Sequence, residues 1–120
     1  MREKRKAKLG YVYLLKSLEK KGFYKYGCTT LTPQKRCNRI NSVDIKGYNF
    51  TVVSSFLTKD CFQSENDMKW NLLPMNLGAF SELFHIDFNS DFDSISSEED
   101  LINRFLIIGK VVNGDLCLRS

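Results

Sequence analysis

Hydrophobic and polar positions fall in blocks along the chain, and the blocks mark the elements. Residues 11–15 (Tyr-Val-Tyr-Leu-Leu) are aromatic, β-branched or aliphatic without interruption, and Phe23, Tyr24 and Tyr26 resume that character after a polar break, Glu-Lys-Lys-Gly, at 19–22. Two such runs about a polar turn predict a β-hairpin with a longer loop. Gly27, Cys28, Thr29 and Thr30 follow, small residues that let the backbone bend tightly. Thr32 and Pro33 then predict a helix start, because threonine caps free N–H groups and proline suits the first helical turn. That helix, 33–41, has little apolar surface beyond Cys37 and Ile40 and carries Lys35, Arg36 and Arg39, so its exposed face is cationic. After a loop, 48–56 (YNFTVVSSF) is again β-branched and aromatic and predicts a third strand, paired with the hairpin.

Downstream, residues 59–73 predict a second helix, opened by Asp60 as cap and closed before Pro74, which disfavours helical geometry in its predecessor. Its apolar positions Cys61, Phe62, Met68, Leu72 and Leu73 form only a loose face. Glu65, three and four positions from Phe62 and Cys61, lies toward the buried side of that face. A carboxylate so placed is costly without a cation or a hydrogen-bonding partner, so Glu65 is either a functional group or half of a structural ion pair. Residues 83–88 alternate like a short strand or extended segment. Ser97-Glu98-Glu99-Asp100 predicts a capped, acidic helix start, followed by the stripe Leu101, Ile102, Phe105, Leu106 and Ile108 up to Gly109. Asn113-Gly114, between apolar residues on either side, predicts a closing hairpin.

Together these elements describe a single α+β domain: a small three-stranded antiparallel sheet flanked by helices, with a C-terminal helix and β-hairpin extension. Residues 1–8 read as a basic N-terminal arm, 9–88 as the core, and 89–120 as a helix and hairpin packed on that core. At 120 residues the chain is long enough for one hydrophobic core and too short for two.

Composition narrows the function classes. No apolar run approaches the roughly 20 residues of a membrane span, and the first ten residues, MREKRKAKLG, lack the apolar core of a signal peptide. A cytoplasmic protein is the expectation. Four cysteines stand without any Cys-x-x-Cys pair and His85 is the sole histidine, so a structural zinc site has little support and reduced, packed thiols are the plainer reading. The net charge of +4 conceals an asymmetry: residues 1–50 carry 13 Lys/Arg against 3 Asp/Glu, and residues 51–120 carry 5 against 11. A basic half that coincides with the hairpin and first helix is an electrostatic footprint of nucleic-acid binding; the plainer alternative is a solvated face balanced by the acidic half.

The order of these pieces resembles the GIY-YIG nuclease superfamily. Gly10-Tyr11-Val12-Tyr13 is similar to its first motif, with Tyr13 as the matching functional tyrosine, and Lys25-Tyr26-Gly27 is similar to the second. Arg36 resembles the family's helix arginine and Glu65 its metal-binding glutamate. The spelling Tyr24-Lys25-Tyr26-Gly27 is closest to the branch that writes this segment YKIG, common in phage and bacterial proteins, and Glu82-Leu83-Phe84 is similar to the strand that ends that branch's core. The resemblance spans about 9–88 and rests on short motifs. One departure is Ile40, four residues after the arginine, where members often have His or Tyr.

The resemblance implies a divalent-metal-dependent DNA endonuclease, or alternatively a catalytically inactive module that binds nucleic acid or a partner protein. It implies Tyr13 as the group that accepts or relays the proton of the attacking water, Arg36 and Lys25 on the scissile phosphate, and Glu65 holding Mg²⁺ or Mn²⁺. Tyr11 and Tyr26 would frame the pocket, Gly27 would let the backbone come close to substrate, and Lys35 and Arg39 would bind substrate. His85 lies where the family places no catalytic residue, so a structural role is expected for it. Phosphoryl transfer brings its metal and cations around one phosphate; Tyr13, Arg36 and Glu65 are therefore expected to line one cleft with Lys25 at its edge, which requires the Glu65 helix to cross the tyrosine face of the sheet. Glu65 on the opposite side of the sheet from Tyr13, or Arg36 locked in a surface ion pair far from both, would make the enzyme reading fail while the fold reading survives. No zinc finger or helix-turn-helix is appended, so target choice falls to the arm, the loops around 29–47 or a partner, and residues 89–120 offer either decoration or a docking surface. A small stand-alone nuclease of this branch suggests a phage or mobile-element product acting in a host cytoplasm.

Overall fold

The structure is a computed structural model that describes residues 7–72, 83–89 and 95–113. The three long apolar runs form the strands β1 (Gly10–Ser17), β2 (Phe23–Thr29) and β3 (Phe50–Thr58). A fourth, β4 (Leu83–His85), pairs with β2, so the expected three-stranded sheet is in fact four-stranded and antiparallel, ordered β3-β1-β2-β4. The short alternating run at 83–88 thus joins the sheet, because Phe84 stands opposite Tyr24 and stacks on it at 6.0 Å between ring centroids. The hairpin between β1 and β2 turns through Gly22 at φ +84°, where a side chain would overlap His85, and Gly22 C=O accepts from Ile86 N–H at 2.9 Å.

Helix α1 (Pro33–Arg39) starts where Thr32 Oγ1 accepts from Lys35 N–H, and its chain continues through one wide π-type turn, Ile40–Asp44. Helix α2 (Cys61–Asn71) is capped by Asp60 and helix α3 (Glu98–Val112) by Ser97, both as expected. Strand alternation divides the core in two. Val12, Leu14, Tyr24 and Tyr26 point to one face and pack with Met68 and Leu72 of α2 and Leu101, Phe105 and Ile108 of α3. Tyr13 and Leu15 point to the other and pack with Cys37, Ile40 and Phe50. A bulge between Leu14 and Leu15 shifts the register of β3.

Two bonds tie α3 to the hairpin: the Tyr24 hydroxyl donates to Glu98 Oε1 at 2.7 Å, and Lys16 Nζ stands 3.1 Å from the same oxygen. The helix does not stop at Gly109 as the stripe suggested. It runs to Val112, so 110–112 are its last turn and not the first arm of a hairpin; Gly114 and the rest of the expected hairpin lie outside the described residues. Gly109 is tolerated inside the helix because it seats against Phe56, whose Cδ2 would stand 2.6 Å from an added Cβ. Asn113 closes the helix and donates from Nδ2 to Leu57 C=O at 2.9 Å.

Candidate active site

Tyr13 reaches the site from the middle of the central strand. Its partner across β2 is Gly27, and the ring lies over that glycine: an added Cβ would meet the Tyr13 hydroxyl first and Cζ at 2.7 Å. Glycine here is required by close approach. The ring is 2% exposed, held from below by Leu15, Cys37 and Ile40. Ile40 therefore fills the position where a relay residue was absent from the sequence, and it is wholly buried core.

Arg36 comes from the second turn of α1 and donates to the Tyr13 hydroxyl. Its Nη1 also contacts Asp44 Oδ2 at 2.9 Å, each side chain about one third exposed. Burial pulls the guanidinium pKa down, but the bond and charge of Tyr13, and then those of Asp44, outweigh it and leave Arg36 above its ordinary value. Asp44 pairs with the arginine and was not singled out from the sequence; it lies eight residues away, and only the wide turn after α1 brings it back. Lys25 is buried on the same face, two residues along β2 from Gly27 and opposite Leu15. Tyr11, half-buried, shares that face near the end of β1, and Lys35 and Arg39 are exposed on α1 beside Arg36.

Two expected members are not on this face. Tyr26 is 2% exposed within the core under α2 and α3, against Phe84, and does not frame the Tyr13 pocket. Glu65 lies on α2, which packs against the face opposite Tyr13, and there it contacts Cys28. The expectation that its helix crosses the tyrosine face is overturned, and with it the expectation that Tyr13, Arg36 and Glu65 line one cleft. The reason is local: Met68 and Leu72 seat on Val12 and Leu14, and this turns the α2 backbone toward the far side.

Glu65 and the Tyr13 hydroxyl nonetheless flank consecutive residues of one strand, Cys28 and Gly27. Among the described residues, β4 pairs with β2 at Phe23–Lys25. Burial, then the charge and hydrogen bond of Glu65 and the neighbouring Cys61, push the Cys28 thiol pKa up, so this sulfur stays protonated beside the carboxylate. That donor set fits a hard cation held by one carboxylate, water and substrate oxygens, and does not fit a thiolate-bound metal. No group of three or more His, Cys, Asp or Glu able to hold a metal occurs among the described residues.

Compared with known proteins, the chain matches no family profile, no curated protein and no solved structure. No helix among the described residues is long and apolar enough to cross a membrane.

Proposed function

We propose that the protein is a nuclease of GIY-YIG type that hydrolyses phosphodiester bonds in nucleic acid, most simply DNA, in the cytoplasm. The observation that carries this reading is the Tyr13–Arg36 contact over Gly27. A guanidinium bonded to a phenol oxygen favours negative charge there, as a proton acceptor for attacking water needs, and its remaining N–H groups suit a phosphate. Lys25 adds a second cation on the same face, and Lys35 and Arg39 extend the positive surface along α1. Tyr13 takes the proton, Arg36 and Lys25 offset charge on the phosphate, and Gly27 leaves the room that the Tyr13 hydroxyl occupies. The resemblance gives Mg²⁺ or Mn²⁺ to Glu65, which lies across the sheet from these groups; an ion held there would supply positive charge for a phosphate and a leaving oxygen.

A second reading is favoured by the position of Glu65 across the sheet: a module that binds nucleic acid through the same cationic face without cutting it. The test is incubation of purified protein with supercoiled plasmid and Mg²⁺ or Mn²⁺, beside Tyr13→Phe and Arg36→Ala. Nicking by the wild type and loss in both variants supports hydrolysis. Salt-sensitive binding with no nicking supports the module, and equal nicking by all three proteins rejects the assignment of the site.

A further inference from the structure

The face that carries Tyr13 continues along β2 away from Gly27. Phe23, Lys25 and Gly27 alternate on that face, and Phe23 pairs with His85 of β4. Four residues separate Gly27 from Phe23, about 13 Å at the rise of a strand. Helix α1 packs over β1 and β3, on the other half of this face.

At this end three rings form a row. Phe23 meets His85 at 4.9 Å and Tyr48 at 5.6 Å between centroids, both edge-on, while Tyr48 stacks parallel on Phe50 at 5.4 Å. His85 is exposed, and Phe23 and Tyr48 are half-buried, so the row is not closed core. Lys20 Nζ stands 5.2 Å from the Tyr48 centroid, a cation set on an accessible aromatic surface. Glu19 and Asp87 are the nearby acids in the sequence, with Asp87 Oδ1 accepting from Asn89 N–H.

The geometry points to a base-stacking subsite for single-stranded nucleic acid on the Phe23, Tyr48 and His85 rings, with Lys20 over the Tyr48 ring. The inference rests on the nucleic-acid reading of the Tyr13 face and adds a preference for unpaired strands. Aromatic rings flanked by lysines hold single strands because every base offers a π-face once it is unstacked, which a duplex does not. Mixed charge beside the rings suits a neutral base better than a phosphate, and the cations needed for the backbone stand further along, at Lys25, Arg36 and α1. The rings would thus hold a nucleotide to one side of the scissile phosphate.

The test is fluorescence anisotropy with labelled oligo(dT) and a duplex of equal length, in EDTA so that no cleavage intervenes, on wild type, His85→Ala, Tyr48→Leu and Tyr48→Phe. Thermal melts of each protein accompany the binding curves. Single-strand affinity falls about fivefold or more on losing either ring, stays within about twofold in Tyr48→Phe, and duplex affinity is unchanged. His85 is exposed, so His85→Ala decides the matter if Tyr48→Leu fails to fold. Wild-type single-strand affinity in a normally melting His85→Ala overturns the subsite, as does a wild type that binds duplex and not oligo(dT). Ring-dependent binding without any cleavage refutes the hydrolysis alone, whereas cleavage with ring-independent binding refutes this inference alone.

Discussion

The Tyr13 hydroxyl occupies the space above Gly27 that any other residue's side chain would fill. The ring cannot move aside easily, because Leu15, Cys37 and Ile40 hold it. Gly27→Ala is therefore expected to lower stability by about 1–3 kcal/mol, the scale of overpacking a filled core, and to displace the hydroxyl from Arg36. Urea denaturation reads the first effect and plasmid nicking the second. An alanine variant as stable as wild type would remove the close-approach argument.

On the nuclease reading, Asp44 would compete with a substrate phosphate for Arg36. The ion pair is partly exposed, so Asp44→Asn should change stability by no more than about 1 kcal/mol. Freed from the carboxylate, the guanidinium should bind phosphate better, raising DNA affinity about threefold at low salt, the scale of one such pair. Binding curves at several salt concentrations measure this, and a weaker complex would show that Asp44 positions the arginine rather than restraining it.

Tyr24 gives the fold an alkaline limit. Burial first, then the hydrogen bond to Glu98 and its charge, push this phenol well above its ordinary value. Unfolded, it ionises near pH 10, at about the model-peptide value. The folded pKa is raised above the unfolded one, so its contribution is complete below about pH 10 and is lost as pH rises through that value toward the folded pKa. Tyr24→Phe should cost about 1–2 kcal/mol at neutral pH and make the fall in stability above about pH 10 shallower by roughly one proton. Denaturation series between neutral pH and the alkaline limb test both; an unchanged alkaline slope would contradict the assignment.

Much of this was legible in the chain because local signals agreed with tertiary ones. The apolar runs of β1, β2 and β3 have no competing period, and Thr32-Pro33, Asp60 and Ser97 each cap the helix they announce. Tyr13 and Arg36 were legible as a pair only through the resemblance of their motifs to the GIY-YIG family. The side chosen by α2 was not legible: its apolar stripe is too loose to declare a face, and the decision rests on Met68 and Leu72 meeting Val12 and Leu14. Nor was the length of α3, because Gly109 reads as a stop until Phe56 is seen against it. Tyr26 misled for a simpler reason: it sits beside Gly27 in the motif, but alternation sends it to the opposite face.

That contact at Gly109 is itself testable. An alanine there would drive into the Phe56 ring, and Gly109→Ala should destabilise the fold by about 1–3 kcal/mol despite alanine's better helix propensity. Thermal melting decides it, and a rise in melting temperature would mean that propensity outweighs the overlap.

On the nuclease reading, Glu65, although across the sheet, would serve the same phosphate as Tyr13 and Arg36. The most direct measurement is the single-turnover cleavage rate of wild type and Glu65→Gln at saturating Mn²⁺, paired with DNA affinity in EDTA. The account predicts cleavage by the wild type, a loss of about 100-fold or more in Glu65→Gln, on the scale of removing a group that stabilises transition-state charge, and equal affinity for both without metal. Cleavage by Glu65→Gln at the wild-type rate, or none by a wild type that binds DNA well, would contradict it.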